Sequence, residues 1–226
     1  SLLAYKENEP LGGYDPYSNS KACSELVTAA YRNSYFNPAD YKKHKNAVAT
    51  ARAGNVIGGG DWATDRIVPD CIKSFSESNP VIIRNPHAIR PWQHVLEPLS
   101  VYLVHAQSLY IDGPNFSEAW NFGPHIDDCI EVGAIVKMLA KKWGKGAQYK
   151  LASTKEPHEA HYLKLNCSKA ERRLGWQPRW GIEKAVQMTV KWYTGVFKGN
   201  SAIKLCNEQI NEHENKVILE KSQKGG

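Results

Sequence analysis

Tyr17 and Lys21 stand four residues apart, the spacing at which two side chains share one face of a helix. A phenol beside an ammonium is a candidate for acid–base chemistry. Free tyrosine titrates at about 10, too high for a base at neutral pH, and a neighbouring cation favours the phenolate. A place at the start of a helix adds the positive end of its dipole. The spacing alone is weak support, because 11 tyrosines and 21 lysines in 226 residues produce about one such pair by chance. The chain has a second, Tyr41 and Lys45, in a basic stretch. An exposed tyrosine beside a solvated lysine accounts for either pair equally. Position separates them, since Tyr17 follows an Asp15-Pro16 turn and precedes an apolar run.

A second group of polar residues lies further along. Arg52 and Asn55 end the apolar run Ala47–Ala53, and ligands of open α/β sheets bind at the carboxyl ends of strands. Asn55 either hydrogen-bonds a phosphate or sugar there, or is a loop residue that tolerates an unusual turn. Arg84, Arg90 and His94 cluster with Trp92 and Gln93. Two guanidinia suit the forked hydrogen bonds of a pyrophosphate, while a surface arginine pair packed on Trp92 explains the same residues. Gly58-Gly59-Gly60-Asp61-Trp62-Ala63 fits the G-x-G-x-x-A phosphate turn. The strand after it, Val81–Arg84, is short and no carboxylate closes it to hold a ribose, so the match is a decoy. No G-K-[ST] follows, which excludes a P-loop. His158-Glu159-Ala160-His161 is not H-E-x-x-H and has no cysteine or carboxylate at ligand spacing, so no metal site is expected.

The elements that must position these residues follow from capping and periodicity. Asp15 caps a helix with Pro16 in its first position, and Ala22, Leu26, Ala29 and Ala30 mark one side as far as about Asn33. The unalternating run from Asn46 to Ala53 predicts a parallel strand buried on both faces. A glycine-rich loop to Trp62, a helix over Arg66–Ser78, the strand Val81–Arg84 and a helix over Leu96–Tyr110 come next. Ala119–Phe122 is a strand and Glu131–Trp143 a helix. Ser168 and Glu171 form a capping box, with Gly175 as its stop. Ile182, Ala185, Val186, Thr189, Val190 and Tyr193 share one face of a last helix. The charged stretch Asn207–Gly226 predicts a frayed or disordered tail. Alternating strands and helices place the chain in the α/β class.

Composition bounds the partners. Hydrophobic residues make up 42% and charged residues 23%, as in a globular protein. A net charge of +6 suits an anionic partner. The basic residues are dispersed, with no stripe of interleaved aromatics, which favours a small anion over nucleic acid. No apolar run reaches the ~18 residues of a membrane span, and the first residues lack the pattern of a signal peptide. Five scattered cysteines without C-x-x-C are expected to be reduced, in a cytoplasmic protein.

Taken in order, the motifs carry a family resemblance. Gly12-Gly13-Tyr14-Asp15-Pro16-Tyr17-Ser18-Asn19-Ser20-Lys21 resembles the active-site helix start of the CDP-glucose 4,6-dehydratases, which are extended short-chain dehydrogenases/reductases. Ala51–Trp62, Asp65-Arg66-Ile67-Val68-Pro69-Asp70 and Arg90-Pro91-Trp92-Gln93-His94-Val95-Leu96-Glu97-Pro98-Leu99 resemble the same family. Leu174-Gly175-Trp176-Gln177-Pro178 resembles the wider superfamily. Together they span roughly residues 5–197, far more specific than any one motif.

The resemblance implies a Rossmann domain carrying NAD and a smaller domain holding CDP-glucose. It implies oxidation at C4 of the glucose, loss of water across C5 and C6, and hydride return to C6. Tyr17 would be the base and Lys21 would hold the nicotinamide ribose. Asn55, Arg84 and Arg90 would hold the pyrophosphate, with Trp62, Arg66 and His94 completing the substrate site. A homo-oligomer is expected, because the family's Tyr-x-x-x-Lys helix lies in a helix-bundle interface. The expected organisation is a partial Rossmann domain over residues 1–60, a substrate domain over 61–200 from which 96–123 returns to the first sheet, and a tail over 201–226. Family members carry a cofactor-binding portion before this point, so the chain is expected to be a C-terminal portion, inactive alone. The rivals are another nucleotide-sugar epimerase or dehydratase of the superfamily, and a non-catalytic sugar-nucleotide-binding fragment.

Overall fold

The computed structural model describes residues 4–152 and 162–223, so the His158–His161 stretch lies outside the described residues. The elements in chain order are α1 (Pro16–Tyr35), α2 (Tyr41–His44), β1 (Thr50–Ala53), β2 (Asn55–Ile57), α3 (Ile67–Ser76), β3 (Pro80–Ile83), β4 (Ile89–His94), α4 (Leu96–Phe116, broken at Asp112), β5 (Ala119–Phe122), β6 (Cys129–Glu131), α5 (Val132–Trp143), β7 (Gln148–Leu151), α6 (Ser168–Leu174), α7 (Ile182–Phe197) and α8 (Ala202–Gln223). They form two compact units. The first comprises 1–53, 98–123 and 165–177; the second comprises 54–97, 124–164 and 178–226. Residues 54–60 therefore lie with the second unit and 165–177 with the first, unlike the division expected from sequence.

In the first unit β1 and β5 pair in parallel, Thr50 opposite Ala119 through Ala53 opposite Phe122. Val101, Trp120, Phe122, Ala170 and Trp176 form its core. Trp120 stacks on Phe116 at 5.8 Å, and Trp176 meets the Phe122 ring edge-on. The expectation that β1 is buried on both faces is corrected. Alternate residues Thr50 and Arg52 donate to the Glu25 carboxylate of α1, each at 2.8 Å, and Ala51 is exposed. A strand of alanines alternating with polar residues turns one side to an ion pair instead of to apolar cover.

In the second unit β4 is central, parallel to β2 and antiparallel to β6. A further parallel pair joins β3 to β7. The core is built from α3, α5 and α7, whose buried Ile72, Phe75, Ile135, Leu139, Val186 and Tyr193 pack together. Two sequence expectations fail here. Residues 202–223 are helical, because Leu205, Gln209 and His213 recur every four residues and are all buried. The described part of the expected tail is thus helical to residue 223, and docked over 205–213. In the first unit, the Ser168–Glu171 capping box does not form. Cys167 is the N-cap of α6, and Asn166 Oδ1 accepts both the Ser168 amide (3.1 Å) and hydroxyl (2.6 Å). Gly175 does end α6 in the left-handed region, at φ 62°.

Candidate functional site

The start of α1 is fixed by its own sequence. Asp15 Oδ1 accepts the Ser18 amide at 3.0 Å, and the Ser18 hydroxyl donates to Asp15 Oδ2 at 2.7 Å. The Ser18 amide and hydroxyl hold the Asp15 carboxyl below its ordinary value. In this first turn Tyr17 is exposed, and Lys21 Nζ lies 5.2 Å from its ring centroid. The second pair, Tyr41 and Lys45, has a similar 5.8 Å approach, but Lys45 is the left-handed C-cap of a helix of four residues. Arg52, at the end of β1, is committed elsewhere, with Nη2 on Glu25 and Nη1 donating to the Glu7 carbonyl. That pairing overrides the cost of partial burial and holds the Glu25 carboxyl below its ordinary range.

In the second unit the expected substrate residues divide by exposure. Asn55 opens β2, half-buried and opposite Trp92 of β4. The connection from β2 to α3 carries Trp62 and Arg66 into solvent. Arg66 Nη1 reaches Asp61 at 3.3 Å, and Arg84 Nη2 reaches Asp65 on the same connection, also at 3.3 Å. Both ion pairs are exposed, and such pairs contribute about 0–1 kcal/mol. A ligand anion can therefore replace either carboxylate at little cost. Asp65 has φ 59°, a left-handed conformation that aspartate tolerates better than most residues. Asp61 and Asp65 stand in the sequence motifs without an assigned role, although acids interleaved with Arg66 are the available signal.

Arg90 and His94 are placed differently. Arg90 is buried on β4 and its Nη1 donates to the Ile89 carbonyl at 2.9 Å. The expectation that His94 meets a ligand is corrected, because its ring is fully buried. The imidazole packs 4.9 Å from the Trp180 ring, and Nδ1 accepts the Leu96 amide at 3.3 Å. Burial, reinforced by nearby His213, pushes its pKa down to about 4 against the opposing pull of Glu97 and Gln209. A histidine so placed is neutral and supports the β4–α4 junction.

The Gly58–Gly60 turn is packed against protein. A Cβ on Gly59 would stand 2.1 Å from the Trp192 indole, and one on Gly58 would stand 2.8 Å from Val95. These glycines permit close approach of α7 and of Val95, just past β4, and do not cradle a phosphate. For NAD, the group implied by the sequence resemblance, the exposed Tyr17 phenol and Lys21 ammonium on one helix face fit a nicotinamide ribose. Among the described residues this glycine turn does not fit its pyrophosphate. No group of metal-binding side chains occurs among the described residues.

A parallel β1–β5 pair, with a Tyr-x-x-x-Lys helix bonded to the first strand, fits a class that comparisons with known proteins establish: the Rossmann-type fold of extended short-chain dehydrogenases/reductases. The NAD complex of dTDP-glucose 4,6-dehydratase from Bacillus anthracis superposes with TM-score 0.66 at 21% identity, covering 85% of this chain and 56% of that one. The chain belongs to the GDP-mannose 4,6-dehydratase family, whose model matches residues 3–189. It is 54% identical over 94% of its length to CDP-glucose 4,6-dehydratase of Salmonella typhimurium. It is 25% identical over 88% of its length to dTDP-glucose 4,6-dehydratase of Haemophilus influenzae. It spans 59% and 57% of those two relatives.

Proposed function

We propose that the chain is the part of a CDP-glucose 4,6-dehydratase that bears the Tyr-x-x-x-Lys helix and the nucleotide-sugar residues. The reaction is conversion of CDP-D-glucose to CDP-4-keto-6-deoxy-D-glucose with loss of water. The observation that carries this reading is the 54% identity to a CDP-glucose 4,6-dehydratase, which runs over 94% of the chain. The more distant dTDP-glucose enzyme, at 25%, supports the reaction type and not the base.

Tyr17 takes the proton from the 4-hydroxyl, for which its exposure on the first turn of α1 is suited. Lys21, on the same helix face, holds the nicotinamide ribose. Bound NAD would accept hydride from C4 and return it to C6. Trp62, Arg66 and Arg84 receive the nucleotide sugar, the guanidinia exchanging Asp61 and Asp65 for the diphosphate. Asn55 and the buried Arg90 line it from β2 and β4. Because the Gly58–Gly60 turn is filled by protein, turnover is expected only where another segment supplies the cofactor's pyrophosphate site. The whole enzyme is a homo-oligomer in this reading. Support comes from apolar residues left in solvent on α1 (Val27, Tyr31, Tyr35) and on α4 (Leu99, Leu103, Tyr110). Five cysteines outside any disulfide suit a reducing, cytoplasmic compartment. No described helix is long and apolar enough to cross a membrane.

Calorimetric titration of the chain with CDP-glucose, and with dTDP-glucose as the competitor, tests the reading. Selective heat with CDP-glucose is expected. Equal binding of both would point to another member of the superfamily, and binding of neither would remove the substrate assignment.

A further inference from the structure

Residues 58–66 cross from β2 to α3 without a strand or helix of their own, yet they carry Trp62 and Arg66. Their support comes from three residues of α7. Trp192 fills the space over Gly59 so closely that a Cβ there would stand 2.1 Å from the indole. The Tyr193 hydroxyl donates to the Asp61 carbonyl at 2.6 Å. The Trp62 ring meets the Tyr193 ring edge-on, at 5.1 Å and 83°, and that of Phe197 at 6.2 Å. Trp62 remains 56% exposed, so one side of its ring is held while the rest is offered to solvent. Asp61, whose carbonyl Tyr193 fixes, also holds the Arg66 guanidinium with its carboxylate and accepts the Ala63 amide at 3.1 Å.

We infer that Tyr193 is a positioning residue for the nucleotide-sugar site, holding the 58–66 connection through the Asp61 carbonyl and the Trp62 ring. The inference rests on the reading that this connection receives the ligand. Tyr193 is buried and touches the connection from below, so it acts through Asp61 and Trp62. Burial pushes its phenol up to about 12, which keeps the donating proton in place across the working pH range. One hydroxyl therefore sets both the orientation of an aromatic platform and the reach of a guanidinium.

The test compares the chain with its Tyr193→Phe variant, which keeps the ring and removes the one hydrogen bond. Amide exchange of residues 59–65 is followed without ligand and with saturating CDP-glucose, and CDP-glucose affinity is measured by calorimetry. Exchange is expected to quicken at 59–65 alone, to be restored by CDP-glucose, and affinity to fall about two- to tenfold, the worth of one such bond. Unchanged affinity or unchanged exchange at 59–65, with the parent chain binding normally, overturns the inference and spares the proposed function. Faster exchange throughout the unit means a merely structural role and also overturns it. Absence of CDP-glucose binding by the parent chain overturns the proposed function, and the inference falls with it.

Discussion

Glu97 offers the sharpest test of how the second unit is held together. Its carboxylate is fully buried and accepts the Trp180 amide and His213 Nε2 on Oε1, and the Arg179 amide on Oε2, each at 2.9 Å. Arg179 Nη1 approaches His213 Nδ1 at 3.2 Å, so His213 accepts from the guanidinium and donates to the carboxylate. A single carboxylate thereby ties the turn before α7 to the middle of α8. Burial raises the Glu97 pKa, but its hydrogen bonds from His213, Arg179 and Trp180 outweigh that and keep it below the ordinary value. Glu97→Ala strands three donors in a dry site. Removing one partner of such a buried set costs about 3–5 kcal/mol. With a urea m-value of about 2–3 kcal/mol/M, the midpoint should fall by about 1–2.5 M. The exposed pair of Lys184 and Glu212 provides the control, since breaking it should cost less than about 1 kcal/mol. Urea titrations at pH 7.5, followed by tryptophan fluorescence, decide the matter. A Glu97→Ala midpoint within about 0.3 M of the parent would show that the carboxylate is not the tie described.

Three further outcomes are expected. His94 has a folded pKa of about 4 against 6.5 for the free group, so the unfolded chain binds more protons between these values. Stability is then complete above pH 6.5 and declines as pH falls toward 4, by about 3 kcal/mol; the slope of urea midpoint against pH should flatten in His94→Gln, and an unaltered slope would contradict the assignment. Of the five thiols, Cys23 and Cys206 are exposed, while burial pushes Cys71 to about 12 and Cys129 to about 11, and Cys167 is also covered. An aromatic disulfide reagent at pH 8 should therefore label two thiols quickly and three only after denaturation, and a third fast thiol would refute the packing. On the proposed function, Tyr17→Phe in an enzyme that turns over CDP-glucose should lower kcat by about 10²–10⁴ while leaving CDP-glucose affinity nearly intact; a change confined to affinity would remove Tyr17 from the proton step.

The first helix was legible because its signals are local. Asp15 and Pro16 define its start in two residues, and the structure begins α1 at Pro16. Ala119–Phe122 was equally plain, a short apolar run between turn residues that forms β5 as expected. The sheet β2–β4–β6 was not, and its strands explain why. β2 has three residues between Gly54 and Gly58, and looks like part of a glycine loop. β4 contains a proline, an arginine and a histidine, which no strand template favours. Pro91 is tolerated because pairing with β6 ends at that residue and pairing with β2 begins at Trp92. α8 was misjudged for a related reason. Among its described side chains the buried face is Leu205, Gln209 and His213, two of the three polar, and a search for apolar periodicity passes over them.

That difficulty bears directly on the candidate site. Polar residues gathered in a motif invite assignment to a ligand, yet Arg90 through His94 are all buried, and some of their polar groups find protein partners. Trp92 Nε1 donates to the Ile130 carbonyl at 3.1 Å and His94 Nδ1 takes the Leu96 amide, while Gln93 Oε1 and His94 Nε2 are buried without a hydrogen bond among the described residues. Being between two strands and beneath α7, β4 has no solvent face on which to place them. Trp62, Arg66 and Arg84 lie on connections, where side chains stay in water and their ion pairs are cheap to exchange. The division follows from topology: a central strand can wall a site, and a connection can reach into it. Local sequence supplied the polar residues of both kinds. Only the burial of β4 in the fold separates its polar residues from the exposed ones of the connections, to which the proposed function gives the ligand.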